Sequence, residues 1–244
     1  MKKIFRELLY MGTAVIILSS CSEWLDLTPT DQLTDKVVWE KESSVDLYVN
    51  GFYTYLNQYG QFGTAQAAGN LTESLTSTFK YGSYALGHKA GHANNYVFNP
   101  STVTPASCFY SNWDDAYNKI RRMNEFLHSM RQYGNFSEEI NKRWEAQVLF
   151  FRAFIYFQLA KRHDGVILYT SIEEMQKDKA RSSNEDTWDL IESDLDFAIA
   201  NLPESLTGSN QGRLTKFAAL AFKSRAMLYA KRWQSAYDAA DAVV

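Results

Sequence analysis

EAQVLFFRAFIYFQLAKRHDGV, residues 145–166, is the stretch on which the fold turns. No proline or glycine interrupts it before Asp164-Gly165, and its apolar side chains cover most of a helical circumference. Trp144, Val148, Phe151, Ile155 and Leu159 follow helical spacing, and Ala153, Tyr156 and Phe157 widen the stripe. A helix apolar on most sides is packed on several sides, so this segment is expected to be the central helix of an α-helical layer. Its start is marked by Ser137, a capping residue, with Glu138 and Glu139 near the positive end of the helix dipole.

Outward from that helix the pattern stays helical. Upstream, WDDAYNKIRRMNEFLHSM places Trp113, Ala116, Tyr117, Ile120, Met123 (or Asn124) and Leu127 on one face, and Gly134-Asn135 ends it. Downstream, Asp164-Gly165 makes a turn and VILYT, residues 166–170, reads as a short extended piece. Ser182 or Ser183 opens NEDTWDLIESDLDFAIANL, which stops at Pro203. After a polar loop at 204–212, Thr215 opens KFAALAFKSRAMLYA, and Lys231-Arg232 turns into WQSAYDAADAVV. In this last pair, small residues Ala219, Ala226 and Ala230 allow close helix approach, and Trp233, Ala236 and Ala240 follow at turn spacing. Successive helix pairs of this kind predict tetratricopeptide-like repeats stacked in a layer. The chain ends within a helical pattern that has no capping glycine or closing proline, so the protein is expected to continue beyond Val244.

The N-terminal part is organised differently. Lys2, Lys3 and Arg6 precede an apolar run, Leu8 to Leu18, which is too short for a bilayer span of roughly 20 residues. Leu18-Ser19-Ser20-Cys21 then fits a lipobox, in which the Cys21 sulfur takes a diacylglycerol and the freed amine a further acyl chain. Several chains anchor stably where one is marginal. Residues 1–20 are read as a lipoprotein signal peptide and 21–41 as a lipidated tether, docked through Trp24, Leu25 and Leu27. The helical domain is read as 42–244, beginning with one helix over 42–58. Ser43 or Ser44 caps that helix, and Val45, Tyr48, Phe52, Tyr55 and Leu56 form its apolar face. Without residues 1–20 the chain keeps 22 Lys/Arg against 27 Asp/Glu, a net charge of −5. That balance argues against nucleic-acid binding. With Cys21 acylated, Cys108 is the only thiol, which leaves no intrachain disulfide and no cysteine zinc cluster.

Residues 59–110 interrupt the helical pattern. Six of the twelve glycines fall between Gly60 and Gly91, interleaved with aromatic and amide residues. A loop-rich insertion of this length in a compact domain is usually functional or disordered, and its aromatic content favours function.

The lipobox followed by CSEWLDLTP, then NEFLHSM, the 145–166 stretch, ARSSNEDTWDLIESDLDFAIANLP and GRLTKFAALAFKSRAMLYAKRWQSAYDAADAVV resembles the SusD/RagB family, outer-membrane lipoproteins that capture nutrients in Bacteroidota. Arg-Ala-Phe-x-Tyr-Phe at 152–157 and Gly212-Arg213-x-Thr215 are its specific motifs. One departure is Arg162-His163-Asp164-Gly165-Val166-Ile167, where the family has a Tyr-Gly-Gly-Val-Pro-like turn; the missing proline puts the local turn geometry in question. The resemblance implies a mostly α, SusD-like fold with a tetratricopeptide-like layer, in a family about twice this length. It also implies an oligosaccharide or other nutrient ligand, a SusC-like TonB-dependent transporter as partner, cell-surface exposure on the outer membrane, and no cofactor or catalytic step.

Sugar binding in water combines aromatic faces with amide or charged hydrogen-bonding groups. Tyr81, Tyr84, His88, Asn94, Asn95 and Tyr96 supply that mix, and they either contact ligand or pack the loop onto the helices. His88 and His92 stand four apart but are flanked by Gly87 and Gly91, and no third ligand accompanies them, so no metal site is expected. Asp114-Asp115, Glu138-Glu139 and Glu173-Glu174 are adjacent pairs near helix starts or in polar loops rather than carboxylates facing each other across a cleft, so solvated or capping roles are expected. A protein-binding helical scaffold, or an enzyme with its catalytic groups in the part beyond Val244, are the competing readings.

Overall fold

The computed structural model describes residues 35–58 and 113–244. α1, Asp35–Val38, is a single turn in a unit separate from Trp39–Val244. The regular elements among the second unit's described residues are helices: α2 Glu42–Phe52, α3 Thr54–Gln58, α4 Trp113–Tyr133, α5 Glu138–His163, α6 Asn184–Asn201, α7 Lys216–Tyr229 and α8 Trp233–Asp241. Short 3₁₀ turns lie at Glu174–Gln176 and Gly208–Asn210.

α5 is the centre of this unit. Trp144, Phe151, Ile155, Tyr156 and Leu159 are fully buried, and the helix is contacted by α2, α4, α6 and α7. The rest of the layer grows sideways from it, α7 packing on α6 and α8 on α7. The caps follow the local sequence. The Ser137 hydroxyl accepts from Ile140 N, and Thr215 accepts from Ala218 N. Of the two serines before α6, Ser183 is the cap, in a reciprocal capping box with Asp186.

Two expectations are corrected. The single helix over 42–58 is two, because the Thr54 hydroxyl takes the Gly51 carbonyl at 2.7 Å and interrupts the ladder at Tyr53. Neither Ser43 nor Ser44 caps α2; both lie inside its first turn, and Lys41 holds the cap position without a side-chain bond. In the α7–α8 hairpin, Lys231 takes a left-handed conformation (φ 60°), and the helix that follows turns Ala236 and Ala239 inward. Ala240 therefore faces solvent, and Trp233 is 63 % exposed, beside exposed Leu228, Tyr229 and Tyr237.

The joint at 212–215 ties α7 to α2 and α5. Gly212 adopts φ 89°, which favours glycine. Arg213 then reaches Asp46 at 3.3 Å, and the same Asp46 oxygen accepts from Trp144 Nε1 at 2.8 Å. Tyr53, at the break between α2 and α3, accepts from Leu214 N and donates to Gln147 Oε1, both at 2.9 Å.

The outer hairpin is fastened to α6 through Glu192, which accepts from Arg232 at 2.7 Å and from Ser235, and pairs with Lys223 at 3.2 Å. Burial pushes its carboxyl up, but the hydrogen bonds from Ser235, Arg232 and Lys223 outweigh that and hold it below its ordinary value. A carboxyl depressed in the folded state stabilises fully above its unfolded pKa of about 4.3 and loses that contribution as pH falls through the folded value. The protection factors of the α8 amides, exchange rates corrected for the intrinsic pH dependence of exchange, should therefore fall on going from neutral to acidic pH more in the native protein than in Glu192→Gln. Equal pH dependence in the two proteins would show that this anchor does not carry the hairpin.

Candidate functional site

Between α5 and α6 the chain crosses the helices as a strap, residues 164–183. Its first residues form a tight turn after α5. Asp164 occupies a left-handed φ of 57°, and Gly165 follows. A Cβ on Gly165 would lie 2.1 Å from the Ser182 carbonyl oxygen, so only glycine lets the two ends of the strap approach this closely. The turn thus closes on Gly165, with Ile167 two residues further on.

Residues 166–170 are not a strand. Their backbone is satisfied largely by side chains. Gly165 O accepts from Arg181 Nε at 2.7 Å, Val166 O from Ser182 N at 2.9 Å, and Ile167 O from the Tyr117 hydroxyl at 2.9 Å. Leu168 O accepts from Lys179 Nζ at 2.7 Å, and Tyr169 O from Asn124 Nδ2 at 3.0 Å. Thr170 O accepts from Arg152 Nη1 at 3.1 Å. Six consecutive carbonyls thus find donors without a neighbouring strand, as a half-buried backbone must. The Tyr156 hydroxyl engages Tyr169 twice, accepting from its N–H at 2.8 Å and donating to its carbonyl at 3.1 Å.

Beneath the strap lies a buried ion pair. Arg152 donates through Nε and Nη2 to the two oxygens of Asp194 at 2.8 and 2.7 Å, and through Nη1 to Asn124 Oδ1 at 3.0 Å. Both side chains are almost fully buried, 7 % and 5 % exposed. Burial pushes the Asp194 carboxyl up while the guanidinium pulls against that shift, and burial also raises the Tyr156 hydroxyl.

The outer side of the strap and the N-terminal half of α4 enclose an open groove of about 260 Å³. Trp113, Tyr117 and Tyr169 form its aromatic wall, with ring centroids 5.0 Å apart for the first pair and 6.0 Å for the second. Met175 and Ile167 complete the apolar side, and Asp114, Asn118 and Arg121 line the polar side. The His163 ring stands edge-on to Trp113 at 5.2 Å, and burial together with Arg162 and Arg181 holds its imidazole below the ordinary value. A larger hollow of about 500 Å³, lined by Glu138, Glu139, Lys142, Ala200 and Asn201, contains no aromatic ring. The α4 groove combines ring faces with polar groups that make no ion pair or hydrogen bond among the described residues.

The sequence-predicted residues Cys21, Tyr81, Tyr84, His88, Asn94, Asn95 and Tyr96 all lie outside the described residues, as do His92, Cys108 and the docking residues of the tether. The carboxylate pairs do lie within them. Asp115 pairs with Lys119, Glu138 with Lys142 at 2.6 Å and Glu173 with His128 at 3.0 Å, while Glu174 accepts from Thr170 N at 2.8 Å. Among the described residues no cluster of three or more His, Cys, Asp or Glu could hold a metal ion, and no helix is long and apolar enough to cross a membrane. Sequence reasoning placed Trp113 and Tyr117 in an apolar stripe. The signal it left unused is the row Asp114, Asn118, Arg121, which runs beside that stripe.

Comparison with known proteins decides the family. Residues 23–228 match the SusD-like family described as starch-binding and associating with the outer membrane. The chain belongs to the SusD-like family. It is 25 % identical over 231 residues to the SusD-like protein P38 of Formosa agariphila, covering 93 % of this chain and 43 % of that one. Among solved structures, a SusD-like protein from Bacteroides fragilis superposes with a TM-score of 0.63 at 29 % identity, over 88 % of this chain and 40 % of the other. A laminarin-binding SusD-like protein shares the fold at a TM-score of 0.63 and 21 % identity, over 82 % of this chain and 43 % of its own. The chain thus spans about two fifths of the length of these relatives. The mostly helical, SusD-like fold expected from the sequence is the one observed.

The ion pair under the strap gives a direct stability test. Asp194→Ala leaves a buried guanidinium unpaired and should cost about 3–5 kcal/mol, whereas Arg152→Met with Asp194→Leu should recover much of that loss. Denaturant titration of the three proteins checks it; a single-mutant loss below ~1 kcal/mol would mean that the strap does not rest on this pair.

Proposed function

We propose that the protein is a cell-surface lipoprotein that captures oligosaccharide at the outer membrane and passes it to a SusC-like TonB-dependent transporter. The observation that carries this reading is the family match over residues 23–228. A groove with aromatic and hydrogen-bonding sides, of the kind that suits a sugar, supports it. In this reading Cys21 carries the lipid and residues 21–41 lead from the membrane to the body. The helical layer forms the scaffold on the transporter side. Tyr81, Tyr84, His88, Asn94, Asn95 and Tyr96 contribute to the ligand surface. The protein binds and releases its ligand, and no bond is broken.

Calorimetry of the full-length protein against a panel of glycans, with product analysis of the same mixtures, separates the readings. Binding without turnover is expected; turnover would make the protein an enzyme, and neither would leave a protein-binding scaffold. Replacing Tyr81, Tyr84 and Tyr96 together with alanine should weaken glycan binding about tenfold or more, at about 1 kcal/mol for each stacking face lost. Unchanged affinity in a folded triple variant removes those tyrosines from the site.

The anchor has its own test. Cys21→Ser should stop incorporation of labelled palmitate and shift the protein out of the membrane fraction, because the acyl chains supply the attachment energy. A variant that stays membrane-bound would refute the lipobox.

A further inference from the structure

A pyranose ring presents an apolar C–H face and an edge of hydroxyls that both donate and accept. A surface suited to it needs π faces on one side and a mixture of donors and acceptors on the other, held in place before the ligand arrives. The α4 groove has these three properties. Its wall is the Trp113–Tyr117–Tyr169 series, each ring half-buried rather than sunk in the core. Its polar side is Asp114, Asn118 and Arg121, at positions i, i+4 and i+7 of α4 and thus about one helical turn, ~5.4 Å, apart. The first only accepts, the second does both and the third only donates.

Among the described residues none of the three is committed elsewhere. All are exposed, and among the described residues none makes an ion pair or hydrogen bond. Two cations of the strap are engaged: Lys179 with Glu174, Leu168 O and the Tyr169 ring, over whose centroid its Nζ stands at 5.6 Å, and Arg181 with Gly165 O. The wall, by contrast, is fixed. Tyr169 is gripped at both backbone atoms by the Tyr156 hydroxyl and at its carbonyl by Asn124, and its own hydroxyl donates to Lys177 O at 3.2 Å. Tyr117 is pinned through its hydroxyl to Ile167 O. Rings held this way lose little freedom when a ligand stacks on them.

We infer that this groove is a sugar-binding subsite for one or two neutral hexose rings of an oligosaccharide, with Tyr169 as a stacking surface and Asn118 and Arg121 as hydroxyl partners. The assignment rests on the proposed glycan capture but uses different residues from those of the 59–110 loop. Asp114, a carboxylate on the same wall as Arg121, selects against acidic sugars. Tyr156 is a positioning residue, acting only through the backbone of Tyr169.

The test uses the full-length protein and isothermal titration with maltohexaose, laminarihexaose, xylohexaose, mannohexaose and a trigalacturonate. Two variants are compared with wild type, Tyr169→Ala and the double variant Asn118→Ala with Arg121→Ala. The double variant removes only exposed, unpaired side chains, so its fold is retained. On the neutral probe that wild type binds, each variant should bind about fivefold to tenfold more weakly. If wild type binds a neutral probe and the double variant binds it equally well, the groove is not a subsite, while glycan capture stands. Preference for trigalacturonate over every neutral probe overturns the neutral assignment. If wild type binds none of the glycans, the capture reading falls and the subsite falls with it.

Discussion

The Arg152–Asp194 pair is the interaction on which this structure depends, because it turns one buried charge into a fixed set of directions. Two guanidinium nitrogens are spent on the carboxylate of α6, and the third is left to address Asn124 on α4 and the Thr170 carbonyl on the strap. Three helices and a crossing segment are thereby referred to one planar group. Such a pair adds little net stability over an apolar packing of equal volume, since desolvation consumes most of its Coulombic gain. What it contributes here is orientation. Asn124, held by Arg152 through its oxygen, presents its nitrogen to Tyr169 O, and the adjacent Tyr156 hydroxyl completes the grip.

The stretch 152–157 therefore unites two tasks on one helix. Its aromatic members pack the layer: Phe154 lies against Phe222, and Phe157 meets Trp188, Phe222 and Tyr229. Its polar members, Arg152 and Tyr156, hold the strap. A second motif, at 212–215, works by the same division, with Gly212 and Thr215 shaping the chain and Arg213 tying it to Asp46.

Much of this was legible in the sequence, and the boundary has a physical origin. α4, α5, α6 and α7 could be read because an apolar stripe and a capping residue are local signals, and Ser137, Ser183 and Thr215 cap as their types require. The break at Tyr53 was not legible, since it depends on a hydroxyl that competes for one carbonyl. Nor was the ion pair. Arg152 and Asp194 stand 42 residues apart and resemble, as residue types, the solvated charges around them. VILYT read as extended, which its backbone allows, but nothing periodic announces that its carbonyls are served by side chains from elsewhere. The groove was half visible: Trp113 and Tyr117 stood out as aromatics of a helix face, while their neighbour Tyr169 reaches them only through tertiary structure.

The strap carries a consequence for how such a site can change over time. A strand in a sheet is constrained on both sides, because its neighbour must match its register and pleat. Residues 166–170 owe their course to donors that approach their carbonyls from helices and from the far end of the strap, and carbonyls are present whatever side chain is attached. The outward-facing residues Ile167 and Tyr169 can thus be exchanged without moving the backbone that displays them, provided the donors stay. A scaffold built this way separates the course of the backbone from the identity of its side chains, so that the surface of the strap can be altered by substituting a few residues on an otherwise unchanged frame.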